Sequence, residues 1–177
     1  MHFLRFAVFT ILPTAFAWPP HHAPASQSEG CSQAVVALAT GIHLNIQGQY
    51  AEYNGTLAVI AVEAATPVDQ NEFLLAKGEL LSDIQAGMNI RLFNQQIAPA
   101  GNDAIPGLAT YAAAQETEQA LVEGLTGVPS EDADALDMLK SDIMAGIKLN
   151  ESNLKKVSSQ YLAERWLAHC RLGCRWL

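Results

Sequence analysis

Apolar residues recur at three- and four-residue steps in four stretches of the chain, and each stretch predicts an amphipathic helix. The first covers about residues 32–65, where Val35, Leu38, Ile42, Ile46, Tyr50, Tyr53, Leu57 and Ile60 keep the spacing. Its Asn54-Gly55-Thr56 run is expected to bend or interrupt it. Thr66-Pro67-Val68-Asp69 then stops one helix and starts the next, with Asp69 and Glu72 at capping-box spacing. The second helix is predicted over 70–97, with Leu74, Leu81, Ile84, Met88 and Leu92 on its buried face. A turn-rich segment, Ala98 to Asp103, leads to a third helix over 105–125. Pro106 suits its first turn, where no backbone N–H is needed, and Leu108, Tyr111, Ala112, Leu121 and Leu125 are its apolar positions. Gly127-Val128-Pro129 ends it. The fourth helix is expected to start at Ser130 as N-cap, with Glu131, Asp132 and Asp134 at the positive end of the helix dipole. Leu136, Leu139, Ile143, Ile147, Leu154 and Val157 line one side of it, and Lys155 and Lys156 lie toward its other end.

Four helices with short connections predict an all-α fold, an antiparallel up-and-down four-helix bundle over residues 31–158. The sequence repeats itself within that span. Leu80–Asn94 matches Leu139–Asn153 at Leu80, Ser82, Asp83, Ile84, Ala86, Gly87 and Asn94, and Gly41-Ile42-His43-Leu44-Asn45 matches Gly146-Ile147-Lys148-Leu149-Asn150 except at the His. A helical Gly costs stability relative to Ala, so Gly41, Gly87 and Gly146 in matched contexts point to close helix–helix approach. Ile84, Met88, Ile143 and Ile147 are then the side chains that an apolar ligand inside such a bundle would meet.

The ends differ from this pattern. Residues 1–17 read as a secretory signal peptide, with Arg5 as the charged region, Phe6–Leu12 as the apolar stretch and Ala15-Phe16-Ala17 as the cleavage site. Residues 18–30 are rich in Pro, Ser and His and read as a disordered linker. Residues 159–177 hold two of the three tryptophans in a basic amphipathic run. That tail reads as a membrane-surface or partner element, as a helix packed on the bundle, or as sequence appended past the natural end of the domain.

Charge narrows the partners. Without residues 1–17 the chain has nine Lys and Arg against eighteen Asp and Glu, a net −9, which argues against nucleic acid. No later segment is long and apolar enough to span a bilayer. Secretion makes disulfides available. A bridge from Cys31 to Cys170 or Cys174 would tie the chain ends together and leave one thiol over, whereas a Cys170–Cys174 bridge would have to form across one helical turn, where geometry is poor. Asn54 and Asn150 are N-glycosylation sequons. No catalytic, cofactor or metal motif stands out, and His43 is the one histidine of the predicted bundle that a Ser/His/Asp arrangement could recruit. The expectation is a non-enzymatic protein with broad apolar helix faces. Such helices bind apolar surfaces or acyl chains through buried area alone, at roughly 25 cal/mol per Å².

The Cys31 that opens the first helix, the D-I-x-x-G-I-K-x-N-x-x-N-L run of Asp142–Leu154, and the fragments Asn94–Asn102 and Ala104–Leu108 carry a family resemblance. The chain resembles fungal small secreted proteins of the hydrophobic surface-binding protein A and cell-wall galactomannoprotein kind, over about residues 31–157. The resemblance implies a secreted, wall-associated, non-enzymatic protein. Its partners would be hydrophobic surfaces, fatty acids or secreted hydrolases. A different reading is a secreted effector that binds a host protein through an exposed helix face. The chain departs from the family after Val157, where a closing Cys is expected, which leaves the partner of Cys31 open.

Overall fold

The computed structural model describes residues 33–173, with side chains through residue 157 and at residue 159. The expected signal peptide and linker and the three cysteine side chains lie outside the described residues. Four helices make up the described chain, with no strand among them: α1 (Gln33–Glu63), α2 (Gln70–Ile97), α3 (Ile105–Gly124) and α4 (Pro129–Gly173). α1 packs against α2 and α4, and α3 packs against the same two helices.

Local chemistry fixes the helix ends. The Asp69 carboxylate accepts from the backbone N–H of Asn71 (2.8 Å) and Glu72 (3.2 Å), satisfying two donors that an α-helix leaves open at its start. The Asn102 side chain takes the Ala104 N–H at 2.9 Å just before α3, and Pro106 occupies the first turn of that helix. The entry to α4 differs from expectation. Ser130 lies inside the helix, and the buried Asp132 accepts from the backbone N–H of Thr126 (2.9 Å) and Gly127 (2.7 Å). Gly127 has a positive φ of 79° and packs against Gln70 and Phe73, so a side chain there meets both backbone strain and a filled space.

The buried positions follow a seven-residue repeat. On α1 the repeat runs through Leu38, Ile42, Asn45, Gln49, Glu52, Thr56, Val59 and Glu63, alternating four and three steps, with Gly41 and Ile46 buried beside it. α3 keeps the alternation from Ala104 through Leu108, Tyr111, Gln115, Glu118 and Val122 to Leu125, and α4 keeps it from Asp132 to Val157. A two-in-seven seam is the pattern with which long helices pack side by side at shallow angles.

The seam also exposes a duplication. Gly41, Gln49 and Glu52 of α1 recur at one constant offset as Gly107, Gln115 and Glu118 of α3, all buried. Leu80, Ile84, Gly87 and Asn94 of α2 recur at a second constant offset as Leu139, Ile143, Gly146 and Asn153 of α4, again all buried. The α1–α2 pair and the α3–α4 pair are two versions of one unit. In this register Gly41 corresponds to Gly107, not to Gly146, although both Gly41 and Gly146 are packing sites.

Two expectations about faces change. The Asn54–Thr56 run does not interrupt α1; the Thr56 hydroxyl donates to the Glu52 carbonyl at 2.9 Å, and Gly55 lies against Leu80. The buried face of α2 is rotated from the predicted one. It carries Phe73, Ala76, Leu80, Ile84, Gly87, Arg91 and Asn94, while Leu74 and Leu92 face solvent and Leu81 and Met88 are half-buried. Tyr50 and Leu57 of α1 are likewise exposed.

Candidate functional site

Two features stand out, a polar layer inside the helices and an apolar face outside α1 and α2. The layer is built from the duplicated seam. Each unit supplies a glycine where the facing helix needs room for a polar side chain. Asn94 occupies the space beside Gly41, and Asn153 the same space beside Gly107. Glu52 and Gln115 converge on Gly87, while Gln49 and the Tyr111 ring converge on Gly146. The glycines thus admit side chains to the interior; the sequence pattern had pointed to helix approach in general.

Amides hold the layer together. Asn150 donates to Asn45 (2.7 Å) and to Gln49 (2.9 Å), and Asn45 donates to the Gly87 carbonyl at 2.8 Å. Arg91 donates to Gln115 (2.8 Å) and to Gln95 (3.2 Å), and Gln95 donates to the Leu108 carbonyl. These bonds satisfy groups whose burial would otherwise cost free energy.

Other buried groups of the layer are left without a partner, among them both side-chain atoms of Asn94 and the carboxyls of Glu52 and Glu118. Both glutamates are fully buried, and none of their carboxyl oxygens has a hydrogen-bond partner. Burial, then the nearby Glu118 and Asp83, pushes the Glu52 carboxyl up to about 8. Burial and the charge of Asp142 push Glu118 up to about 7. At the far end of α1, Glu63 is raised to about 7 by burial and by its hydrogen bond and charge interaction with Asp132. Burial works against the Asp132 anion, yet the N–H groups of Gly127 and Thr126, with the hydrogen bonds from Glu63 and the Thr126 hydroxyl, together outweigh it and hold its carboxyl below the usual value.

The outer face follows a different rule. Of the twelve exposed large apolar residues among the described ones, eight lie on α1 and α2: Val36, Leu44, Tyr50, Leu57, Leu74, Leu75, Leu92 and Phe93. The duplication supplies the comparison. The positions on α3 and α4 equivalent to Leu44, Tyr50, Leu57, Leu75, Leu92 and Phe93 hold Thr110, Glu116, Glu123, Asp134, Glu151 and Ser152. The two units share these buried Gly, Gln, Glu and Asn positions inside and differ outside. Two of the eight, Leu44 and Phe93, line an open groove of about 490 Å³ between α1 and α2, together with Ala37 and Ile90. Thr40 also lines it, with its hydroxyl donated to the Val36 carbonyl at 2.9 Å.

Comparisons with protein-family models, curated proteins and solved structures return no match.

The residues singled out from the sequence separate. Ile84, Ile143 and Ile147 are buried in the core with Met88 half-buried against it, so none of the four lines the open groove. Asn54 is exposed on α1. Asn150 is fully buried and its amide nitrogen is committed to Asn45 and Gln49, so it has no room for a glycan in the folded chain. His43 is exposed and its ring lies 3.3 Å from the Gln47 amide. Among the described residues no three His, Cys, Asp or Glu side chains gather as a metal site. A search for apolar periodicity passes over Glu52, Glu118, Gln49 and Gln115. The recurrence of Gly, Gln and Glu at one offset is the signal that finds them.

Proposed function

We propose that the protein is a secreted, non-enzymatic helical protein that adsorbs to apolar surfaces through the outer face of α1 and α2. We further infer that its helices form an antiparallel up-and-down bundle. The seven-residue seam, the short connections and the packing of each helix against two others support that arrangement.

The observation that carries the functional reading is the outward difference between the two equivalent units. A core needs no exposed Leu44, Leu75, Leu92 or Phe93, and the α3–α4 unit does without them. These side chains are roughly half exposed, so covering the rest of one is worth about 1 kcal/mol, and several acting together favour adsorption over the cost of immobilising the protein. The acidic outer residues of the other unit, Glu116, Glu123, Asp134 and Glu151, would remain in water, in keeping with a net charge of −8. The apolar N-terminal residues 1–17 support export, and a wall or extracellular surface would be the place of action.

Depletion of the purified protein from solution by alkyl-coated particles tests the reading. Adsorption that survives high salt is expected, because burial of apolar area is not screened. No adsorption at any salt concentration would end it.

A further inference from the structure

The polar layer contains charge that the adsorbing face does not use. Glu52 and Glu118 occupy equivalent seam positions on α1 and α3 and are fully buried. Their oxygens lack partners, and Glu52 is pressed into the notch at Gly87. The charged and titratable groups around them are mostly of one kind. α2 brings Asp83 toward Glu52, α3 brings Glu118 and Tyr111, and α4 brings Asp142 toward Glu118. Arg91 on α2 is the one buried Lys or Arg among the described residues, and its guanidinium is already engaged with Gln115 and Gln95.

A carboxyl in this setting has two stable states. Protonated, it is neutral and stays in the closed core. Ionised, it needs water or a cation, and neither fits while the helices remain in contact. Two such anions would also repel one another and the aspartates beside them.

We propose that Glu52 and Glu118 form a proton-held latch in the centre of the helical core, closed while both carry protons and loosened once both ionise. The latch goes beyond adsorption and does not depend on it, since it concerns the interior and not the outer face of α1–α2. Both carboxyls release their protons well above the 4.5 of a free glutamate. The folded chain therefore binds more protons than the unfolded chain between those limits, and stability falls as pH rises through that interval. The stabilisation is fully present below about 4.5 and is lost by the time pH passes about 8. Glu63 titrates in the same interval at the other end of α1, so it needs its own control.

The test is the thermal midpoint of the full chain from about pH 5 to 9 for wild type, Glu63→Gln and the double variant Glu52→Gln/Glu118→Gln. Wild type should lose on the order of 10 °C across the interval. Glu63→Gln should keep most of that slope, and the double variant should keep only the smaller part that Glu63 contributes, whatever its absolute midpoint. A flat wild-type profile, or a double variant that keeps the wild-type slope, overturns the latch. Carboxyl carbon NMR of the wild type supplies a readout that does not depend on the variants folding. Two glutamates titrating above about pH 6 in addition to Glu63 support the latch, and fewer than two contradict it.

Discussion

Asn94 fills the space that a side chain at Gly41 would take, and Asn153 repeats this at Gly107. The relationship reverses the usual sign of a helical Gly→Ala change. At an open helical site, Ala is favoured over Gly by about 0.5–1 kcal/mol. Gly48 on α1 and Gly78 on α2 have nothing within 4 Å of the place an alanine methyl would take, so Gly48→Ala and Gly78→Ala should stabilise by about that amount. Gly41→Ala and Gly107→Ala place the methyl on a buried amide and should destabilise by about 1–3 kcal/mol. Chemical denaturation of the four variants checks the contrast; equal effects at all four sites would dismiss the notches.

Asn150 is the hub of the amide network, donating to both Asn45 and Gln49. Asn150→Ala leaves two buried acceptors on α1 without their donor. A loss of about 2–3 kcal/mol is expected, read from the denaturant midpoint. The same change removes a sequon. An unchanged mass of the secreted protein after Asn150→Ala, apart from the substitution itself, would agree with the burial of that residue, and loss of a glycan would not.

Asp132 holds the turn between α3 and α4 through the N–H groups of Thr126 and Gly127. Asp132→Ala should cost about 2 kcal/mol, since these are charge-assisted bonds to buried donors. Its pH dependence has the opposite sign to that of the latch. The folded carboxyl lies below its ordinary value of 3.8, so its contribution is present above that pH and is lost as pH falls through the lowered value. Melts below about pH 4 should show wild type losing stability faster than Asp132→Asn, and parallel acid profiles would remove Asp132 from the account.

Much of this fold was legible in the chain. Period and caps located all four helices, and α2 starts and ends where predicted because Asp69 caps it and the Ala98–Pro99 step closes it. The buried face of α2 was not legible from apolar periodicity. Its seam carries Gly87, Arg91 and Asn94, which look like surface residues, while Leu74 and Leu92 look like core and are exposed. The same inversion hides Gln49, Glu52, Gln115 and Glu118 on α1 and α3. A polar layer in a seven-residue seam defeats hydrophobicity, because partners on other helices decide the burial of each residue. The candidate surface was hidden for the complementary reason: exposed leucines are indistinguishable from core leucines until the helix is oriented.

The outer α1–α2 face carries the proposed adsorption, and variant adsorption tests it most directly. Leu44→Ser/Phe93→Ser alters two exposed residues of the groove, and Met138→Ser/Met144→Ser alters the two exposed methionines of α4. Binding of each to alkyl-coated particles is compared with wild type, with circular dichroism confirming the fold. A loss of affinity of about tenfold or more for the first pair, with little change for the second, is the predicted result. Equal adsorption by all three proteins would contradict the assignment of this face.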